Sequence, residues 1–183
     1  LTRTLRELCE KKGAPALVQR VAEAFLSDDD EASIAADLAQ NGAAIAPLLA
    51  LILEDPLFSD PAMPGYGQMP LIAACALGEI GGPKALEALF ATVGCDSSEL
   101  EEATLAAIAH LESEARPFLL QQLAHPPYTK TSEKAALVLA SLPPDEATSQ
   151  RALALLEEPA IQQKKNLAIY LALASSALKA ACD

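Results

Sequence analysis

Apolar residues recur every three or four positions along most of this chain, and Gly, Pro, Asn and Asp interrupt them at intervals of one short helix. The pattern is clearest from Leu71 to Val93. Ala73, Ala74, Leu77 and Ile80 fall on one helical stripe, and Leu86, Leu89, Phe90 and Val93 fall on another. Between them, Gly81 and Gly82 can take the positive φ that ends a helix, and Pro83 suits the first turn of the next. Ala73, Ala74, Ala76 and Gly78 are small enough to let a neighbouring backbone come close. Such a hairpin is apolar on more than one side, cannot bury itself alone, and is expected to have neighbours.

The unit repeats. A step of 31 residues carries Leu77 to Ile108, Leu139 and Tyr170; Ile80 to Leu111, Leu142 and Leu173; and Ala74 to Leu105, Ala136 and Leu167. Backwards the step is 39, from Leu77 to Leu38 and from Gly81 to Gly42. The extra residues fall in a proline-rich stretch, 55–70, which has no helical period and reads as a loop. A fixed period of paired helices is the signature of an α-solenoid. The pattern therefore predicts an all-α fold, an α-solenoid of helical hairpins forming one domain over 1–183. Residues 1–30 form an atypical opening hairpin, with Leu5, Leu8 and Cys9 inward and a second helix at Ala16–Leu26. Helices are expected at 31–40, 43–54, on either side of Gly81-Gly82-Pro83, up to Leu111, at Ala115–Ala124, 133–141 and 145–158. A long last helix is expected at Ala160–Ala181. Pro47 and Pro117 are placed near the starts of their helices, where a missing N–H is tolerable. The carboxylates Asp28, Asp29 and Asp30 read as a cap for the helix that follows.

Ala76-Leu77-Gly78-Glu79-Ile80-Gly81, followed by Ala85 and Leu89, resembles the short HEAT-like repeat named after phycobilisome lyases. The units around Ile108 and Leu139 keep the apolar frame without the Leu-Gly-x-Ile-Gly core. The resemblance covers roughly residues 31–183. It implies a superhelical stack of hairpins, a fold that serves many functions.

Composition narrows the classes. Alanine and leucine dominate and Trp is absent, which favours closely packed helices. The longest apolar runs, such as Ile45–Leu53, are far short of the roughly 20 residues of a membrane span, so no membrane partner is expected. A net charge of −12 argues against a nucleic-acid binder, which needs a basic face, and permits a basic protein partner. Cys9, Cys75, Cys95 and Cys182 are widely separated, with no CxxC or Cys/His cluster; they read as plain thiols in a reducing cytoplasm. The apolar last helix predicts either further repeats or a second subunit packed against it.

Chemistry-bearing patterns are sparse. His110 and His125 share no ligand spacing, and no phosphate loop or nucleophile elbow occurs. Deoxyhypusine hydroxylase, which the repeat also resembles, carries His-Glu iron ligands just before the Leu-Gly core. The matching pairs here are Leu71-Ile72, Glu102-Ala103, Glu133-Lys134 and Ala32-Ser33. No catalytic residue, metal site or cofactor is therefore expected. The function expected is non-catalytic protein–protein interaction. The resemblance leaves open a lyase-like subunit handling a tetrapyrrole or its carrier protein, and a structural module of a larger protein. In such arrays the second helix of each pair generally lines the concave face. That implies Lys84, Glu87 and Ala88 from one unit, and Gln121 and Gln122 from the next. Phe58 and Tyr66 in the 55–70 loop supply aromatic groups that either pack back on the protein or meet a partner.

Overall fold

The structure is a computed structural model and describes residues 15–179; the first opening helix and Cys9 lie outside them, as does Cys182. The described residues form ten α-helices with three short 3₁₀ turns and no strand. The chain divides into two compact units between Leu111 and Glu112.

In the first unit the helices are α1 (Ala16–Leu26), α2 (Glu31–Ala39), α3 (Ala46–Glu54), α4 (Met69–Ile80), α5 (Gly82–Thr92) and α6 (Ser98–His110). α4 is the hub. It packs against α2 on one side and α6 on the other, and it touches both α3 and α5. Its sequence explains this: Met69, Ile72, Ala73, Ala74, Ala76 and Leu77 are all buried, so the helix is apolar nearly all round. α3 packs on α5 in a second layer. Gly81 and Gly82 take φ of +65° and +83°, which turns α4 into α5 with no intervening loop. Asp30 caps α2: its carboxylate accepts from the Ser33 N–H at 3.0 Å and from the Ser33 hydroxyl at 2.7 Å. Those two bonds hold the Asp30 carboxyl below its ordinary range. Ser97 caps α6 in the same manner through the Leu100 N–H.

The 55–70 stretch is more ordered than a loop without period implies. A 3₁₀ turn spans Pro56–Ser59, capped by Asp55, and α4 already begins at Met69 because Pro70 sits in its first turn. Phe58 packs on Phe25 of α1 with ring centroids 5.4 Å apart, a contact of about 1 kcal/mol beyond its area burial.

The second unit contains α7 (Glu112–Gln122), α8 (Lys130–Ser141), α9 (Glu146–Leu156) and α10 (Leu167–Lys179). α8 packs on α7, and α10 packs on both α8 and α9. Arg116 ties the unit together: it donates to the Pro143 carbonyl at 2.8 Å and the Thr148 hydroxyl at 3.3 Å, and pairs with Glu112 at 3.4 Å.

Two expectations fail here. α7 starts three residues early, at Glu112, so Pro117 lies inside the helix rather than near its start. Acidic Glu112 and Glu114 in the first turn suit the positive end of the helix and extend it backwards. The last helix starts late, at Leu167 instead of Ala160. Residues 160–166 form turns and a 3₁₀ segment, because Ile161 is pulled fully into the core. The Asn166 side chain then closes the turn by donating to the Ala160 carbonyl at 2.7 Å. Local apolar content suggested helix; tertiary burial and a side-chain bond favoured a turn.

Candidate functional site

The second-layer helices α3 and α5 enclose a shallow groove of about 360 Å³. Ala46, Pro47 and Ala50 come from α3, and Ala88 and Ala91 from α5; Glu54, Lys84 and Glu87 rim it. It forms where small residues of the two helices face each other beside their buried large ones, although Leu51 of α3 stays 57% exposed. Leu49 and Ile52 of α3 and Leu86 and Leu89 of α5 are buried, which leaves Pro47, Ala50, Ala88 and Ala91 towards the surface. Lys84, Glu87 and Ala88 therefore meet in one place.

The rim charges are not paired among the described residues. Neither Lys84, Glu87 nor Glu54 forms an ion pair among the described residues. Two of them also oppose their own helices. Lys84 lies in the first turn of α5, at its positive end, and Glu54 is the last residue of α3, at its negative end. Each such placement costs about 0.3–1 kcal/mol on an exposed surface. A wider cleft of about 490 Å³ lies between α1 and α2, but most of its polar groups answer a neighbour. There Arg20 pairs with Glu23 at 3.3 Å, and the Ser27 hydroxyl donates to Asp29 at 2.7 Å.

The other expected residues stand as follows. Phe58 is half-buried against Phe25, so much of its ring is already used. Tyr66 is 81% exposed. It sits at φ +52° between Gly65 and Gly67, themselves at +81° and +80°, so three consecutive residues hold the left-handed region. For a tyrosine this backbone is strained by about 1–2 kcal/mol. Gln121 and Gln122 end α7 in the second unit, and the Gln122 carbonyl accepts the Ser132 hydroxyl at 3.1 Å. Sequence reasoning missed the α3 wall of the groove. The Ala46, Pro47, Ala50 spacing marks a small-residue face on a helix, and Glu54 its end, but only the partner helix turns that face into a groove.

Other candidate chemistry does not converge. Among the described residues no group of three or more His, Cys, Asp and Glu is placed to hold a metal ion, and no helix is long and apolar enough to cross a membrane. Cys75 and Cys95 are free thiols. Burial, followed by Glu31 and Glu79, pushes the Cys75 thiol above its ordinary value, the wrong direction for a nucleophile at neutral pH. His110 and His125 are both exposed, on α6 and in the turn after α7.

A scan against protein-family models, a search of curated proteins and a search of solved structures each returned no match.

Proposed function

We propose that this chain is an α-solenoid of HEAT-like hairpins that binds another protein through the α3–α5 groove, without catalysis. The observation that carries the reading is the groove itself. Its floor is alanine and proline, open enough for a partner backbone or helix to approach, and its rim charges form no ion pair among the described residues. Two carboxylates against one lysine favour a partner segment of net positive charge. The solenoid part rests on the 31-residue repeat and on the way α2, α4 and α6 stack side by side. Tyr66, strained and exposed, is a second anchor, since aromatic side chains carry much of the energy of protein interfaces. The free thiols fit a reducing compartment such as the cytoplasm.

Ala88→Arg tests this by filling the groove with a bulky cation. Capture of protein partners from a lysate of the source cells is compared for the two chains, with circular dichroism to confirm equal helicity. The reading expects the specific partner to be lost by at least tenfold. Equal capture by both chains would overturn it, and co-purification of a coloured small molecule in place of a protein would favour the tetrapyrrole alternative.

A further inference from the structure

α10 leaves an apolar stripe uncovered. Leu167, Leu171 and Leu178 are 53%, 59% and 65% exposed, and Tyr170 is 38% exposed. With half-buried Ala174 and exposed Ser175 they lie on one face of the helix, because steps of three and four residues return to the same side. The opposite face is anchored. Ile169, Ala172, Leu173 and Ala177 are buried, and the buried Ser149 hydroxyl of α9 donates to the Ser176 carbonyl at 2.9 Å. Rotating the helix to hide the leucines would break that bond and expose four core residues. The stripe is thus a fixed surface of the second unit.

Its composition selects an occupant. No residue from Leu167 to Leu178 is charged, in a chain of net charge −12. Two copies repel over most of their surfaces, so a neutral face is where they can meet without desolvating carboxylates. The order of sizes along the stripe is also self-complementary. Laid antiparallel on a second copy about a two-fold axis near Ala172–Leu173, Leu171 faces Ala174, Tyr170 faces Ser175, and Leu167 faces Leu178. Large residues meet small ones next to the axis, and two leucines close each end, as an isologous helix pair requires. We infer that the chain forms a symmetric antiparallel dimer through the Leu167–Leu178 face of α10. This goes beyond the groove reading and does not depend on it. One stripe of four large side chains buries less than the roughly 1,200 Å² of a standard stable interface, so the dimer is weak, with Kd on the order of 10–100 µM.

Sedimentation equilibrium of the full chain from micromolar to millimolar concentration is the test. The expected weight-average mass rises from 19.1 kDa towards twice that value, and rises at lower concentration when salt screens the repulsion. Leu171→Glu is expected to hold the chain at the monomer mass with its melting temperature unchanged. The orientation is tested by mixing a Leu171→Cys chain with an Ala174→Cys chain under oxidation and mapping the cross-links by mass spectrometry. The antiparallel dimer joins position 171 to position 174 across the two chains. A monomer at every concentration, or a dimer that survives Leu171→Glu, overturns the proposal. Cross-links of 171 to 171 would overturn its antiparallel geometry.

Discussion

Gly78 on α4 and Ala107 on α6 approach so closely that a Cβ on Gly78 would stand 2.8 Å from the Ala107 Cβ and 3.1 Å from its Cα. No rotamer change can relieve this contact, because Ala107 has nothing to rotate. The glycine of the Leu-Gly core thus sets the spacing between the hub helix and its neighbour.

Gly78→Ala consequently pits two effects against each other. Alanine is the better helix former by about 1 kcal/mol, while forcing a methyl into a closed contact typically costs about 1–3 kcal/mol. Because backbone must move, the clash is expected to dominate, with a net loss of up to about 2 kcal/mol. The melting temperature is expected to fall, by up to about 8 °C. A rise in melting temperature would mean that α4 and α6 separate easily.

Thr104 on α6 is fully buried, and its hydroxyl has no hydrogen-bond partner among the described residues. Thr104→Val keeps the shape and removes the desolvated oxygen, so it is expected to stabilise the fold by about 1 kcal/mol, read from urea unfolding. A loss of stability would indicate that the hydroxyl is satisfied in solution.

Asp145 caps α9, accepting from the Thr148 N–H at 2.7 Å and the Thr148 hydroxyl at 2.6 Å. These bonds, helped by Arg116, lower its folded pKa below the ordinary 3.8. A lowered folded pKa means stability that is present above 3.8 and is lost as pH falls through the folded value. Asp145→Asn keeps the cap and is expected to flatten the acid limb of the stability–pH curve; Asp145→Ala is expected to cost about 1 kcal/mol at neutral pH. An unchanged acid limb in the Asn variant would assign the acid sensitivity to other carboxylates.

Cys75 has its thiol pushed above the ordinary 9.0 by burial and by the nearby Glu31 and Glu79. Alkylation by iodoacetamide is expected to be slow at pH 7 and to accelerate with a midpoint above 9.0, and Glu79→Gln is expected to move that midpoint down. Fast modification at neutral pH would reopen a chemical role for this cysteine.

Glu54→Lys separates stability from binding. A cation at the end of α3 suits the helix dipole and is expected to add about 0.3–1 kcal/mol of stability. The same change removes a rim carboxylate and is expected to weaken capture of a basic partner. Improved capture by this variant would reverse the charge assigned to the partner.

Much of the first unit was legible because its signals are local. Gly81, Gly82 and Pro83 specify a turn by backbone chemistry, Asp30 specifies a cap, and Leu77, Leu38 and Ile108 recur on inward faces. In the last helix the repeat holds only in part: Leu173 keeps the 31-residue step and is buried, whereas Leu167 and Tyr170 keep the step but face outward. That helix starts after a turn set by Ile161 and Asn166, which local periodicity does not encode. On the candidate site, Lys84, Glu87 and Ala88 came from the resemblance to HEAT-like repeats, in which the second helix of each pair generally lines the concave face. The α3 wall was not, since a groove depends on which helices become neighbours, and its small residues look like ordinary helix surface until they do.

The most direct measurement is site-specific cross-linking from the groove floor. A photo-reactive residue placed at Ala88, and separately at exposed Glu102 on α6 as control, is irradiated in a lysate of the source cells. The account predicts one discrete protein adduct from position 88 and none of that mass from position 102. The same adduct from both positions, or no protein adduct from position 88, would contradict it.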